Sequence, residues 1–380
     1  MIHLMTSDQP DQRVAAAGFA ERLLEVIDSG RRTATYKLAL LMALLDLCAK
    51  QSDVDGRAPG LLYTRDIAEQ VAFLYWPQVI PYRLPGASDA VELRQITLPK
   101  AAILTAVSAF RLAAEAEGAT SWHLARQRIP AGYESMLDQV EVAVAEQPLP
   151  RLQAVGSSET VFPFIYDLGW GPRESFSVAR LRRHGPQGPA VRLLPGAGDE
   201  LARLGPLIRP LVELHWTRMV AEINGVATAE LDLRRHLFGS DRVIPPRTLR
   251  DGIGALQDNR CFYCRATLGA APEADHFIPR VRCGIDAVEN LVLADRRCNN
   301  DKSDLLPGPP HLTAWASRNQ RHGPALAGLA TVSHWDTDLA ATIAVARSIY
   351  GHLPQGGTPL WLGFKNIRTA NPAEALAALR

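Results

Sequence analysis

Four of the chain's five cysteines, Cys261, Cys264, Cys283 and Cys298, fall in one stretch from Arg260 to Asp304, RCFYCRATLGAAPEADHFIPRVRCGIDAVENLVLADRRCNNDKSD. Cys261-Phe262-Tyr263-Cys264 is a C-x-x-C knuckle, a tight turn that can present two thiolates to one tetrahedral ion. The same spacing also serves redox chemistry. An odd total concentrated in this way fits a metal site with a lone core thiol better than a disulfide framework. Thiolates suit zinc and leave no open position for water, so a zinc ion here is structural.

Asp275 and His276 follow the knuckle, flanked by strand-forming residues and ended by Pro279. A neutral imidazole with its ordinary pKa near 6.5 can take a proton from water at physiological pH. Asp275 and Asn299 offer carboxylate and amide oxygens, which suit a hard cation such as Mg²⁺ or Mn²⁺ that stabilises charge on phosphoryl oxygens. Adjacent side chains of a regular strand point to opposite sides. Both serve one site only if the backbone bends there or a metal sits at the strand's edge. The plainer alternative is that Asp275-His276 completes a structural zinc site.

The ordered set C-x-x-C, D-H-x-x-P, Asn290 and C-N-x-x-K resembles the zinc-containing branch of the HNH endonuclease family, over roughly residues 250 to 306. That resemblance implies a ββα-metal (His-Me finger) module, with His276 as general base and Asp275 and Asn299 holding the catalytic ion. It gives Asn290 the task of steadying the hairpin and orienting the histidine, and puts Lys302 near the scissile phosphate. The branch usually supplies four thiolates from two C-x-x-C pairs, whereas Asp295 stands here three residues before Cys298. Asp295 can ligate zinc from the same helical turn. Cys283 is the alternative fourth ligand, and a three-ligand or metal-free clasp is the remaining possibility. The resemblance implies cleavage of DNA in bacterial restriction or phage defence. Competing expectations are an RNA-cleaving toxin-like nuclease and a non-catalytic zinc-stabilised nucleic-acid-binding protein.

Charge gives no general signal for nucleic acid: 41 Lys and Arg face 40 Asp and Glu, so any phosphate-binding surface arises from local clustering. Arg296 and Arg297, beside Cys298, are the leading backbone clamps, with Arg280 close in sequence. Arg180-Leu181-Arg182-Arg183-His184 is the densest basic cluster, and is read either as a phosphate patch carried by Arg182 and Arg183 or as a solvated hairpin.

The remaining sequence supplies the elements that position these residues. Apolar spacing predicts helices over Val14 to Ile27 with Gly30 as cap, from Thr33 or Thr35 to Cys48, from a threonine cap at Thr64 to Trp76, and over Leu98 to Glu117, Gly132 to Glu146 and Asp199 to Asn224. Leu38 to Cys48 is apolar nearly all round, which places it inside a bundle. The turn Asp55 to Gly60 between two helices admits a helix-turn-helix reading, but Phe73, Leu74, Tyr75 and Trp76 look like core packing. Short β-like runs fall at Thr160 to Tyr166, Ser175 to Val178 and Ala190 to Leu194. Helices return at His311 to Asn319 and Asp336 to Leu353, with Trp315 at core spacing.

The expected fold is therefore mainly helical α+β. Its parts are a helical domain at 1–150, a small mixed α/β connector at 151–245, the nuclease module at 246–306 and a helical tail at 307–380. The first part would be a sensor, partner-binding or target-recognition domain, and a homodimer would provide double-strand cleavage. The N-terminus lacks a basic segment followed by an apolar run, and the longest apolar stretch contains Asp46 and is too short to span a bilayer. A soluble, cytoplasmic protein without membrane contact is expected.

Overall fold

The computed structural model describes residues 9–28, 34–84, 86–97, 101–154, 163–226, 230–239, 244–354 and 357–380. Its first part runs α1 (Gln9–Asp28), α2 (Tyr36–Lys50), β1 (Leu61–Tyr63), α3 (Thr64–Tyr75), β2 (Tyr82–Arg83), β3 (Ala90–Val91), α4 (Ala102–Ala116), α5 (Trp122–Arg128), α6 (Pro130–Glu146), β4 (Tyr166–Asp167), α7 (Val178–Arg182), β5 (Ala190–Leu193), α8 (Ala197–Ile223) and α9 (Glu230–Phe238). The second runs α10 (Arg247–Leu256), β6 (Glu273–His276), β7 (Leu291–Ala294), α11 (Arg296–Lys302), α12 (Pro309–Val332), α13 (Leu339–Gly351), β8 (Thr358–Gly363), β9 (Asn366–Ala370) and α14 (Pro372–Ala377). The protein is mixed α+β with helix dominant. Among the described residues, no helix is long and apolar enough to cross a membrane.

One hydrophobic core spans Leu23 to Leu237. Its centre is α2, where every residue from Leu38 to Leu45 is buried, as an all-round apolar helix requires. Tyr75 and Trp76 at the end of α3 are buried against this bundle, so that helix packs instead of presenting a reading face. A small antiparallel sheet, ordered β1-β5-β4, pairs Leu62 with Val191 and Tyr166 with Leu193. It ties the early helices to the segment after residue 151 and continues the core across position 150.

Several local expectations changed. Thr64 is the first residue of α3 and not its cap: Tyr63 occupies the cap, and the Thr64 hydroxyl donates 2.6 Å to the buried carboxylate of Glu141. Ser175 to Val178 forms no strand, because the Ser177 side chain accepts from Arg180 N and starts α7 there. The basic cluster therefore lies on a short helix and its exit turn, with no hairpin. On α8 the buried stripe uses Val212, while Leu211 is 37% exposed. Gly30, Thr33, Leu98 and residues 160–162 lie outside the described residues.

The second core, Cys261 to Leu379, wraps the β6–β7 pair. Trp315 of α12 stacks on Phe277 at 4.7 Å, and its indole N–H donates to the Glu289 carbonyl at 2.8 Å. The tail is only partly helical: β8 and β9 form an antiparallel pair with Trp361 buried at its base. A loop after α12 joins the two cores, as Trp335 Nε1 donates to the Asp286 carbonyl (2.6 Å), Val288 N to the Asp336 carbonyl (2.9 Å) and His123 N to the Asp336 carboxylate (3.1 Å).

Candidate metal centre and cleavage site

The knuckle closes because Cys261 N donates to Ala266 O at 2.8 Å and Arg265 adopts a left-handed φ of 62°. Gln257, just past α10, fixes it to β7: its amide donates to the Leu293 carbonyl and accepts from Leu293 N, both at 2.9 Å. Phe262 N also donates to the Leu293 carbonyl at 2.9 Å. These bonds set the knuckle against the N-terminus of α11.

Asp295 caps α11, with Oδ1 accepting from Cys298 N at 2.9 Å, while Oδ2 accepts from the Cys264 thiol at 3.0 Å. The ligand atoms of Cys261, Cys264, Asp295 and Cys298 all lie within 4.8 Å of one another. A tetrahedral zinc site with Zn–S bonds of ~2.3 Å sets its ligand atoms about 3.8 Å apart, so only small adjustments would seat the ion. Cys283 is not among them. Its thiol is buried elsewhere, beside Pro279 O at 3.9 Å. Burial, and then the Asp295 carboxylate, push the Cys298 thiol up, and burial raises Cys261. Asp295 goes the other way: burial alone would raise it, but hydrogen bonds from the Cys264 thiol and the Cys298 amide hold it well below the usual carboxylate range. This set can hold a metal ion such as zinc, with displacement of thiol protons.

The pair β6–β7 is in regular register, Asp275 opposite Val292 and His276 opposite Leu291. Alternation therefore puts Glu273 and Asp275 on one side and His276 on the other. On the first side lies α11. Lys302, fully buried, places Nζ 3.0 Å from Asp275 Oδ2 and donates to the His276 carbonyl at 2.9 Å; the Tyr263 hydroxyl also donates to Asp275. Asn299 donates from Nδ2 to Glu273 Oε2 at 2.6 Å.

On the other side, His276 Nε2 lies 2.6 Å from Asp286 Oδ1. Burial opposes ionisation of Asp286, yet the hydrogen bond from His276 brings its pKa below the ordinary value. Asn290 pins the chain that leaves the histidine, accepting from Ile278 N at 2.8 Å and donating to Ile278 O at 2.9 Å.

Residues 16–237 match the family model described as a domain of unknown function, DUF8808. The chain belongs to that family. Residues 261–308 match the model of the HNH endonuclease, and this stretch contains the knuckle, β6, β7 and α11. No curated protein and no solved structure matches the chain. The protein thus joins a DUF8808 region to a short segment that matches the HNH endonuclease model, which suggests nuclease activity, and that holds a cysteine-rich cluster able to bind metal.

The expected phosphate-binding residues are dispersed. Arg182 ion-pairs with Asp138 and Glu141 at 2.7 Å in the first core, with exposed Arg183 beside it. Arg280 donates to Phe238 O at 3.3 Å. Arg296 and Arg297 lie together on the outer face of α11. Sequence reasoning missed Asp286, Glu273, Tyr263 and Gln257. Glu273 had one available signal, its place two residues before Asp275 on a strand.

Proposed function

We propose that the protein is a metal-dependent HNH endonuclease that hydrolyses DNA phosphodiester bonds, with residues 246–306 as the cutting module, residues 307–380 as its brace and residues 16–237 as one target- or partner-binding unit. The observation that carries this reading is the Asp286–His276 pair. An ionised carboxylate only accepts, so in the neutral ring Nε2 holds the proton and Nδ1 holds the lone pair that can take a proton from water. Asp286 also stabilises the imidazolium that results.

Asp275 and Asn299 would offer oxygen ligands from β6 and α11 to Mg²⁺ or Mn²⁺ at the edge of the strand, the position from which one phosphate could reach both this side and His276 on the other; the bound ion would stabilise charge on the phosphoryl oxygens. Lys302 and Tyr263 fix the Asp275 carboxylate in one orientation; on this reading the lysine acts through Asp275 instead of at the phosphate. Asn290 positions His276 through the backbone that follows it. Zinc in the cysteine cluster would keep α11, and with it Asn299, in register with β6. The setting we propose is bacterial restriction or phage defence.

The test is His276→Ala. Cleavage of DNA with Mg²⁺ or Mn²⁺ is expected to vanish while DNA binding survives. Wild-type protein that cuts no nucleic acid in any divalent metal refutes the enzyme reading. A phage-plating assay comparing wild type with His276→Ala tests the defence role, which fails if both protect equally.

A further inference from the structure

The β8–β9 hairpin lies outside both matched regions, and its tip is fastened to the helix that carries Asn299. Asp301 Oδ2 accepts from Trp361 Nε1 and from Lys365 N, each at 2.8 Å. The Arg297 guanidinium lies 3.6 Å from the centroid of the Phe364 ring, and Lys365 Nζ lies 5.4 Å from the same ring. The turn needs φ of 139° at Gly363 and 54° at Lys365. Phe364 is 40% exposed, and all of Lys365 to Thr369 is exposed, so the tip projects beyond the core that Trp361 anchors.

Successive residues of α11 are about 100° apart around the axis. Arg296, 82% exposed, therefore lies between Asn299 on one flank and Arg297 on the other. The surface runs from Asn299 through Arg296 and Arg297 to Phe364 and Lys365. Two carboxylates border it: Asp301, bound at the hairpin base, and Glu273, 3.9 Å from Arg296 and engaged by Asn299.

We propose that this hairpin tip is part of the substrate interface: Lys365, Arg297 and Arg296 grip successive phosphates of duplex DNA beside the cleavage site, and Phe364 holds the Arg297 guanidinium in place for it. A free arginine loses rotamer freedom on binding, whereas a stacked one is already ordered. An exposed phenylalanine with no core to fill has its use in that stacking. The inference rests on the nuclease reading and names the surface through which that site receives its strand.

Salt-dependent binding of a short DNA duplex, followed by fluorescence anisotropy without added divalent metal in the His276→Ala background, tests it. Each phosphate contact adds about 0.9 to the slope of log K against log salt, equivalent to ~8-fold in affinity per tenfold change in salt. R297A and K365A are each expected to lower the slope by about that amount. F364A removes no charge but is expected to weaken binding in the same direction as R297A, with F364Y restoring it. Parent protein that binds the duplex while R297A, K365A and F364A keep its affinity and slope overturns the inference alone. Parent protein that binds no duplex, with wild type that cuts nothing, overturns the nuclease reading and this inference with it.

Discussion

Asp295 performs two tasks with two oxygens, and substitutions can separate them. Oδ1 caps α11 through Cys298 N, while Oδ2 faces the Cys264 thiol inside the metal cluster. Asparagine is as good an N-cap as aspartate, whereas alanine costs about 1 kcal/mol. Zinc binding in small cysteine sites is worth about 10–16 kcal/mol, so an equal share per ligand is roughly 3 kcal/mol, on the order of 100-fold in affinity. With a chelator present, Asp295→Asn should keep the cap and lose only the carboxylate's bond to the Cys264 thiol, whereas Asp295→Ala loses the cap as well and should fall about 1 kcal/mol below Asp295→Asn in urea denaturation. In zinc competition against a chromophoric chelator, both should bind on the order of 100-fold more weakly. Asp295→Cys, completing four thiolates, should bind more tightly than either. Wild-type zinc affinity in Asp295→Asn would make Asp295 a helix cap only and refute its place as fourth ligand.

Lys302→Met leaves the Asp275 carboxylate buried with its cation gone, and should destabilise the protein by roughly 3–5 kcal/mol by urea denaturation; adding Asp275→Asn should recover part of that loss. Asp286 has a folded pKa below its ordinary value of 3.8, so its contribution is complete at neutral pH and is lost as pH falls below that value. Asp286→Asn should flatten this acid limb in a stability–pH series and slow DNA cleavage at pH 7 without changing zinc content. Gly188, at φ 71°, lies against the Glu141 carboxylate and the Thr64 hydroxyl, where a Cβ would clash with both. Gly188→Ala should cost more than 1 kcal/mol, visible as a lowered Tm.

The sequence was most legible where one element or one short spacing carried the information. The unbroken apolar run of α2 marks a helix at the centre of a bundle, and the C-x-x-C spacing marks two members of the cysteine-rich cluster. Asp295 could be found because i and i+3 share a helical turn. Asp286 could not: it is a plain acidic residue in a loop, and only folding brings it to His276. Arg318 likewise reads as surface, yet it is buried and donates to the Leu291 and Glu289 carbonyls; burial lowers its pKa to about 10. Pairing of β1 with β5 bridges a long separation, and three- or four-residue strands give too little alternation to reveal it. Ser175 to Val178 misled because it contains Ser177, whose side chain caps a helix that begins at Val178.

The core around the metal cluster takes Trp361 and Leu379 from the far end of the described chain. A growing polypeptide therefore releases the knuckle from the ribosome well before the side chains that roof it. During that interval a bound ion would be the chief restraint on the hairpin, a placeholder for packing that arrives late.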